Sequence, residues 1–324
     1  MTHRVTDRLF TFFADPRAVP RDIDLLPPDA PVKTYAAPAP RANPGLRALV
    51  FVVAMAVAVL LGGAVIVAVQ GHPTISAIQS SGLELFGAVV GYVVLTGPME
   101  DRLWPFELAW RRWPALLRGL LLGFVALSVT IGVVALSGGY RITGLNPAYS
   151  PWPDLFTLGL VAGVAEEIIF RGVLFRLVED GLGTWGAVAV SALVFGLLHL
   201  TNKDATLMGG LAIVVEAGLL FAAVYVVTRN LWWTIGLHVA WNVAEGPVYG
   251  SVVSGSSDKA RSWIAAEWPG PDWLTGGRFG VEASVVPMVL LGLVSVWLLV
   301  RAQKGGYIVA PWWVRRRTLR ARAV

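Results

Sequence analysis

The sequence predicts an all-α integral membrane protein, built as a bundle of about eight transmembrane helices. Of its 324 residues, 56% are hydrophobic and only 15% are charged, whereas soluble domains carry about 25% charged residues. The mean hydropathy is +0.65. Apolar runs follow one another along the chain, and most approach the roughly 20 residues that cross about 30 Å of hydrocarbon. The chain has no cysteine, so disulfides and thiolate metal sites are excluded.

Three regions follow from this pattern. Residues 1–47 are polar and Pro-rich, lack the apolar core of about 7–15 residues that a signal peptide requires, and are expected to form a cytoplasmic tail. Residues 48–300 are expected to form the helical bundle, and residues 301–324 a basic cytoplasmic tail. The predicted spans are 48–69, 83–95 (extending back toward Ile75), 115–136, 155–178, 185–200, 207–228, 231–250 and 281–300.

The distribution of positive charge sets the expected orientation. With eight spans, both termini lie on one side, where the tails and connections hold twenty Lys and Arg residues against five on the other side. Such an excess marks cytoplasmic segments and predicts a multi-pass plasma-membrane protein with both termini in the cytoplasm. The Arg-rich tail 315–322 is expected to contact anionic lipid, and nucleic-acid binding is not expected so close to a span. Segment 102–114, with Trp104, Trp110 and Trp113, is expected at headgroup level.

The span 155–178 carries Glu166, Glu167 and Arg171 near its middle. Three ionised residues at that depth cost roughly 8–10 kcal/mol on insertion, whereas the fourteen Leu, Ile, Val and Phe residues of the span return about 4–8 kcal/mol. The charged face must therefore pack inside the bundle or along a wet cavity. A structural ion pair explains one acid and one base, but it leaves the second carboxylate unexplained.

Spacing relative to Arg171 predicts different roles for the two glutamates. Glu167 and Arg171 are four residues apart with the acid first, which is the better order for an ion pair on a helix. Glu166 is five residues from Arg171 and is expected to face a cavity. On the same helix, Gly159 and Gly163 form a pair of small residues that allows close helix approach.

Two histidines and an asparagine lie on later spans. His238 and Asn242 are one helical turn apart and share a face, so they form a pair of N–H donors suited to stabilising an oxyanion. His199 is suited to orienting a water molecule or transferring its proton. Each histidine taken alone is more often a hydrogen-bonded packing residue, but the whole set is unusual in a chain this poor in polar residues.

Zinc is the alternative chemistry for the same residues. Glu166, His199 and His238 supply a carboxylate and two imidazoles, which are the donors of His₂Glu zinc sites. The sequence has no His-Glu-x-x-His motif, and the three residues come from three helices, so their spacing does not support a metal. A metal-free water activated by a carboxylate is preferred.

Three short motifs follow one another on the spans 155–178, 185–200 and 231–250. They are Glu166-Glu167-Ile168-Ile169-Phe170-Arg171, Phe195-Gly196-Leu197-Leu198-His199 and His238-Val239-Ala240-Trp241-Asn242. In this order they resemble the Glu-Glu-x-x-x-Arg, Phe-x-x-x-His and His-x-x-x-Asn motifs of the CAAX-protease and bacteriocin-processing (CPBP) family. The resemblance covers about 155–245 and implies the eight-helix fold of a type II CAAX prenyl protease in a bacterial plasma membrane.

The resemblance also implies an activity and a division of roles. The implied activity is that of an intramembrane endopeptidase with its peptidase core at 155–245, acting on a membrane-anchored protein or peptide. Glu166 is the implied general base that activates a water molecule, helped by His199. The implied catalytic residues are Glu166, His199, His238 and Asn242, and the implied supporting residues are Glu167 and Arg171.

Two other functions stay open at this point. A non-proteolytic interaction protein of the bacteriocin-immunity or scaffold type would share the family's sequence without its activity. A proton-coupled transporter would use Glu166, Glu167 and Glu216 as a relay. Outside the motifs, Glu216 is expected to be a protonated packing residue, and Glu245 is expected near the mouth of the cavity.

Overall fold

The computed structural model of the chain describes residues 9–18, 42–256 and 261–322. Helices dominate these residues and run up and down one bundle. π-helical turns continue the second helix over Leu95–Met99 and the seventh over Ala244–Val248. The helix bounds are Pro44–Gln70 (α1), Ala77–Val94 (α2), Pro114–Leu136 (α3), 152–182 (α4), 184–201 (α5), Leu207–Thr228 (α6), Leu231–Val243 (α7), Val285–Lys304 (α8) and Trp312–Arg322 (α9).

Six helical stretches of the described residues are long and apolar enough to cross a membrane, and one of them is the 50-residue stretch Trp152–Thr201. That stretch is two helices, because Gly183 breaks it with φ 73° and ψ 178°. Arg171 reaches to 4.7 Å from the ring centroid of Phe195, so α4 and α5 are antiparallel neighbours. The predicted helical class is confirmed. Counted together with α7, the helices also agree with the predicted number of about eight.

Local sequence explains where the first two helices begin. The side chain of Asn43 accepts a hydrogen bond from the Leu46 backbone N–H at 2.9 Å, and Pro44 occupies the first helical position. Ser76 and Gln79 form a reciprocal capping box at the start of α2. The predicted extension of the span 83–95 back toward Ile75 agrees with this start, since polar capping residues begin the helix before its apolar run.

Glycines bring α7 into close contact with its neighbours. A Cβ atom on Gly119 of α3 would lie 2.3 Å from the carbonyl oxygen of Trp233, and one on Gly236 of α7 would lie 2.3 Å from the α3 backbone. Gly163 of α4 faces Val239, where a Cβ atom would lie 2.5 Å from Cγ2. The predicted close approach at Gly163 is confirmed, and it sets the distance between α4 and the helix that carries the second histidine.

A two-stranded antiparallel sheet covers the end of the bundle opposite the termini. Strand β1, Arg141–Leu145, pairs with β2, Ile264–Glu267, and Arg141 lies opposite Glu267. No strand is predicted from the sequence, because both strands are short and pair across a long separation in the chain. The fold is thus the predicted all-α bundle with one small two-stranded sheet added at this end.

Part of the predicted N-terminal tail packs on the bundle. The ring of Phe13 stacks on Trp233 with 5.5 Å between ring centroids, and the backbone N–H of Asp15 donates to the carbonyl oxygen of Val227 at 2.9 Å. The apolar run around Phe13 is too short to span a membrane, yet it is long enough to be buried against a bundle. Tail residues 1–8 and 19–41 lie outside the described part of the chain.

Five charged side chains form a buried network on the side of the termini. Glu100 accepts hydrogen bonds from Arg47 at 2.9 Å and from Arg102 at 2.9 Å, and it also pairs with Arg176. Burial alone would raise the pKa of Glu107, but Arg102 and Arg176 lower it to about 2. The network joins α1, the segment between α2 and α3, and α4. In the sequence, these arginines serve only to predict the orientation of the chain in the membrane. The count of positive charges does not identify their ion-pair partners.

Candidate active site

π-helical turns flank the two glutamates of α4. Gly163–Glu167 is α-helical, whereas Leu155–Ala162 before it and Ile168–Phe175 after it are π-helical. π turns are rare and are frequently found at functional sites. The predicted site residues are distributed over three helices: Glu166, Glu167 and Arg171 on α4, His199 on α5, and His238 and Asn242 on α7.

Glu167 and Arg171 form the predicted ion pair. Arg171 Nη1 donates to Glu167 Oε1 at 2.8 Å, and both side chains are fully buried. Arg171 Nη2 also donates to the carbonyl oxygens of Ala217 at 3.3 Å and Gly218 at 3.2 Å in α6. Because a buried charge is tolerated only when it is paired and hydrogen-bonded, Arg171 keeps Glu167 ionised and ties α4 to α6.

Glu167 also orients His238. Nδ1 of His238 lies 3.2 Å from Glu167 Oε1, and since a carboxylate only accepts hydrogen bonds, Nδ1 carries a proton. Nε2 then faces Glu166, at 4.0 Å from Oε2. Nε2 of His238 is a donor when the ring carries two protons and an acceptor when it carries only the Nδ1 proton. Glu166 Oε2 is buried and has no hydrogen-bond partner among the described residues, so it is available to a reacting group.

Glu166 lines a cavity of about 270 Å³. Its side chain is 24% exposed, whereas that of Glu167 is inaccessible. The cavity is also lined by His199 and Asn202 at the end of α5 and by Glu84 of α2. Glu84 lies in the second turn of α2, about 10 Å from the start of that helix. The cavity therefore lies in the half of the bundle that carries the sheet, away from the termini.

His199 reaches the cavity from the last turn of α5. Its Nδ1 lies 2.7 Å from the carbonyl oxygen of Phe195, which only accepts, so Nδ1 carries a proton and Nε2 remains for another partner. The ring of Phe195 contacts the His199 ring at 4.9 Å and lies 4.7 Å from the Arg171 guanidinium. Phe195 thus joins the cavity to the buried ion pair, a packing role that motif spacing does not predict.

Asn242 shares a face of α7 with His238, and neither residue is among the described residues that line the cavity. Its Nδ2 donates to the carbonyl oxygen of Leu158 at 2.9 Å, in the π-helical start of α4. A primary amide has a second N–H, which remains for another acceptor. The assignment of His238 and Asn242 as a pair of oxyanion donors stays a prediction.

Glu84 is a cavity residue that the motifs do not include. It lies on α2, outside the three motifs, and faces the same cavity as Glu166 and His199. A signal for it exists in the sequence, because Glu84 falls inside the predicted span 83–95, where a carboxylate is costly unless it faces water or protein.

The two other intramembrane glutamates lie apart from this cavity. Glu216 is fully buried, and neither of its carboxylate oxygens has a hydrogen-bond partner within the described ranges. Its acidic neighbours are Glu282 and Glu245 rather than the pair on α4, which does not favour the proton relay of a transporter. Glu245 is also fully buried, and its Oε1 accepts a hydrogen bond from the Ser251 hydroxyl at 3.0 Å. Neither residue lines the cavity within the described chain.

The residues considered for zinc do not form a compact ligand set. Across residues 9–18, 42–256 and 261–322, no group of three or more His, Asp or Glu side chains is close enough to hold a metal ion. His238 Nδ1 is bonded to Glu167, and its Nε2 lies 4.0 Å from Glu166, which is wider than two donors about 2 Å from one tetrahedral ion require. Zinc on Glu166, His199 and His238 stays a prediction.

Comparison with known proteins agrees with the motif assignment. Residues 148–244 match the family described as Type II CAAX prenyl endopeptidase Rce1-like, and this range contains all six motif residues. The chain is 29% identical over 83 residues to the protein named "Putative membrane peptidase YdiL" from Bacillus subtilis (strain 168), which is 26% of this chain and 32% of the relative. The match thus spans about a third of the relative's length. Residues 148–244 are thus similar to the Rce1-like type II CAAX prenyl endopeptidases.

Proposed function

We propose that this protein is an intramembrane endopeptidase that hydrolyses a peptide bond of a membrane-associated protein or peptide. One arrangement carries the proposal. Glu166 and His199 face one cavity, and His238, held by the ion-paired Glu167, lies 4.0 Å from Glu166. The family match over 148–244 and the name of the bacterial relative support the same class of activity.

In the proposed reaction, Glu166 is the general base. A water molecule in the cavity donates a hydrogen bond to the Glu166 carboxylate and another to Nε2 of His199, which is an acceptor in the neutral ring. Glu166 takes the proton as the water oxygen attacks the carbonyl carbon of the substrate. When the tetrahedral intermediate collapses, the C–N bond breaks and Glu166 returns the proton to the leaving amine.

The oxyanion of the intermediate requires donors, which His238 and Asn242 would supply. When it carries two protons, the ring of His238 directs its Nε2–H toward the Glu166 side of the site, because Glu167 holds Nδ1. Asn242 keeps one N–H beyond its bond to Leu158. Donors fixed before the reaction stabilise developing charge without reorganisation, so the buried ion pair acts by positioning His238.

The proposed mechanism uses no metal. If zinc is the cofactor instead, Glu166, His199 and His238 would hold it, and it would lower the pKa of a bound water. Dialysis of the purified protein against a chelator separates the two. The carboxylate mechanism expects an unchanged rate, and a rate that is lost and then restored by zinc supports the metal.

The test is cleavage of a membrane-anchored peptide by the purified protein in liposomes. Glu166→Ala and His199→Ala should each lower the rate about 100-fold or more, since each removes a group that handles the proton of the attacking water. Full activity in both variants would contradict the proposal. His72→Ala is the matched control, because His72 is an exposed residue in the loop between α1 and α2.

We also propose a bacterial plasma membrane as the location, with both termini in the cytoplasm. Because the chain has no cysteine, single cysteines introduced at the exposed positions Ser150 and Lys304 report their side by labelling with an impermeant maleimide. In whole cells only Ser150→Cys should react. On the terminal side, Arg316 and Arg317 of α9 are exposed, which supports the proposed contact of this tail with anionic lipid.

A further inference from the structure

A second concave site lies on the side of the termini, at the opposite end of the bundle from the catalytic cavity. It is a pocket of about 300 Å³. Its walls come from the docked N-terminal segment around Asp15, from the start of α3, and from the turn between α6 and α7 at Asn230. Helix ends form most of this pocket, so it lies at the surface of the membrane rather than within the hydrocarbon.

The pocket is strongly positive. Four arginines and one acid line it, and Asp15 pairs with Arg17 at 2.7 Å and with Arg112 at 3.0 Å. Although burial raises the pKa of Asp15, hydrogen bonds from Arg17 and the charge of Arg112 bring it below its usual value. Asp15 is therefore ionised at neutral pH, and the pocket keeps a net charge of about +3. The two remaining arginines are Arg111 and Arg118.

Arg111 and Arg118 have no carboxylate partner in the part of the chain that the structure describes. Both side chains are exposed. The guanidinium of Arg118 lies over the ring of Phe12, 5.9 Å from its centroid. Two exposed guanidinium groups that line one pocket are suited to holding the oxygens of a phosphate, which arginine binds through paired N–H donors.

The surroundings of the pocket indicate a lipid. Trp110 and Trp113 beside it are 73% and 39% exposed, as expected for aromatic residues at headgroup level. Leu117 and Leu121 of α3 are exposed next to Arg118, toward the hydrocarbon. We propose that this pocket binds the phosphate of an anionic phospholipid, with its acyl chains along this face of α3.

The net charge also predicts selectivity. A zwitterionic lipid would place a choline cation beside the arginines, whereas phosphatidylglycerol adds no cation. Since Asp15 and Arg17 belong to the N-terminal segment and Arg118 to α3, a bound phosphate would also hold that segment on the bundle. This site is independent of the proposed peptidase activity.

The test uses the purified full-length protein in detergent. It is incubated with dioleoylphosphatidylglycerol, with dioleoylphosphatidylcholine or with inorganic phosphate, and bound molecules are counted by native mass spectrometry while the melting temperature is recorded. We expect one retained phosphatidylglycerol and a higher melting temperature, with at least about tenfold weaker binding of the choline lipid. The double variant Arg111→Gln, Arg118→Gln should bind phosphatidylglycerol roughly 30-fold more weakly, which corresponds to about 1 kcal/mol for each arginine.

The matched control is Arg261→Gln, Arg278→Gln, which removes two exposed arginines from the opposite side of the bundle and should keep the retained lipid. If both double variants lose phosphatidylglycerol equally, the lipid is held by the general positive charge of the surface and the proposal is overturned. Equal binding of the choline lipid would overturn it as well, and an equal shift with inorganic phosphate would make this a phosphate site rather than a lipid site. The three ligand comparisons on the unchanged protein test the proposal even if a variant misfolds.

Discussion

At the residue scale, two adjacent carboxylates have different surroundings. Glu167 is inaccessible and bound by Arg171 and His238, whereas Glu166 reaches a cavity. One residue of offset on a helix turns a side chain by about 100°, so neighbours in sequence face different partners. This offset lets one carboxylate organise the site while the other remains available to react.

Removal of the buried guanidinium should destabilise the fold. Arg171→Ala leaves Glu167 as an uncompensated buried charge, and we expect a loss of about 3–5 kcal/mol in the free energy of unfolding. The double variant Glu167→Ala, Arg171→Ala removes both charges and should be more stable than Arg171→Ala alone. Chemical unfolding in mild detergent measures both. A double variant as unstable as the sum of its two single variants would show that the pair is not coupled.

Sequence spacing predicts many of the residue contacts in the candidate site. The other contacts depend on how the helices pack against one another. The four-residue separation predicts the pair of Glu167 and Arg171, and this pair forms. The bond from Asn242 to the Leu158 carbonyl has no counterpart in the motif, because a π-helical turn of α4 presents that oxygen. Glu84 joins the cavity from a helix outside the motifs.

At the element scale, the contact between α4 and α7 controls the distance from Glu166 to His238. A Cβ atom on Gly163 would lie 2.5 Å from Val239 Cγ2 and 3.1 Å from its backbone nitrogen. Val239 directly follows His238, so any displacement of this backbone moves the imidazole. The small residue is therefore part of the site geometry even though it carries no functional group.

Gly163→Ala should consequently lower the cleavage rate on the order of 100-fold, the size of effect that a displacement of about 1 Å causes. Gly132→Ala in α3 is the matched control, because nothing lies within 4 Å of its added Cβ atom. The control should keep its rate and gain slightly in helix stability. Equal rates for both variants in the liposome assay would show that this contact does not position the site.

Element boundaries are only partly predictable from hydropathy. The spans 115–136 and 207–228 agree with α3 and α6 within a residue, because their ends coincide with polar or Pro residues. The sheet is missed because neither strand has a buried face that would show alternation. Its pairing depends on residues brought together by the whole bundle.

At the scale of the whole molecule, buried ion pairs stabilise the end of the bundle that carries the termini. Glu107 is fully buried, and its pKa of about 2 lies below the usual 4.5. A folded-state pKa below the unfolded one stabilises the protein above pH 4.5, and this contribution is lost as the pH falls toward 2. The shift corresponds to roughly 3 kcal/mol at neutral pH.

Glu107→Gln should therefore lower the free energy of unfolding at pH 7 by roughly 3 kcal/mol, and the difference from the unchanged protein should fall to about half at pH 3. Unfolding curves at both pH values measure this. Glu267→Gln serves as control, since Glu267 pairs with Arg141 on the exposed sheet and such pairs contribute at most about 1 kcal/mol. A difference for Glu107→Gln that does not depend on pH would contradict the assigned pKa.

Composition and hydropathy predict the class of the whole molecule, because crossing hydrocarbon demands long apolar helices. They do not predict how its polar residues combine. The docking of Phe13 on Trp233 and the network around Glu100 join positions far apart in the chain. Such contacts depend on the packed bundle rather than on any local pattern.

The central claim is that Glu166 activates the attacking water, and its most direct test is one comparison of cleavage rates in liposomes. Glu166→Gln keeps the size of the side chain but removes the base, and we expect a loss of at least about 100-fold. Glu216→Gln changes another buried intramembrane glutamate, which lies outside the cavity, and should stay within a few-fold of the unchanged protein. Full activity of Glu166→Gln, or an equal loss in both variants with melting temperatures unchanged, would contradict this account.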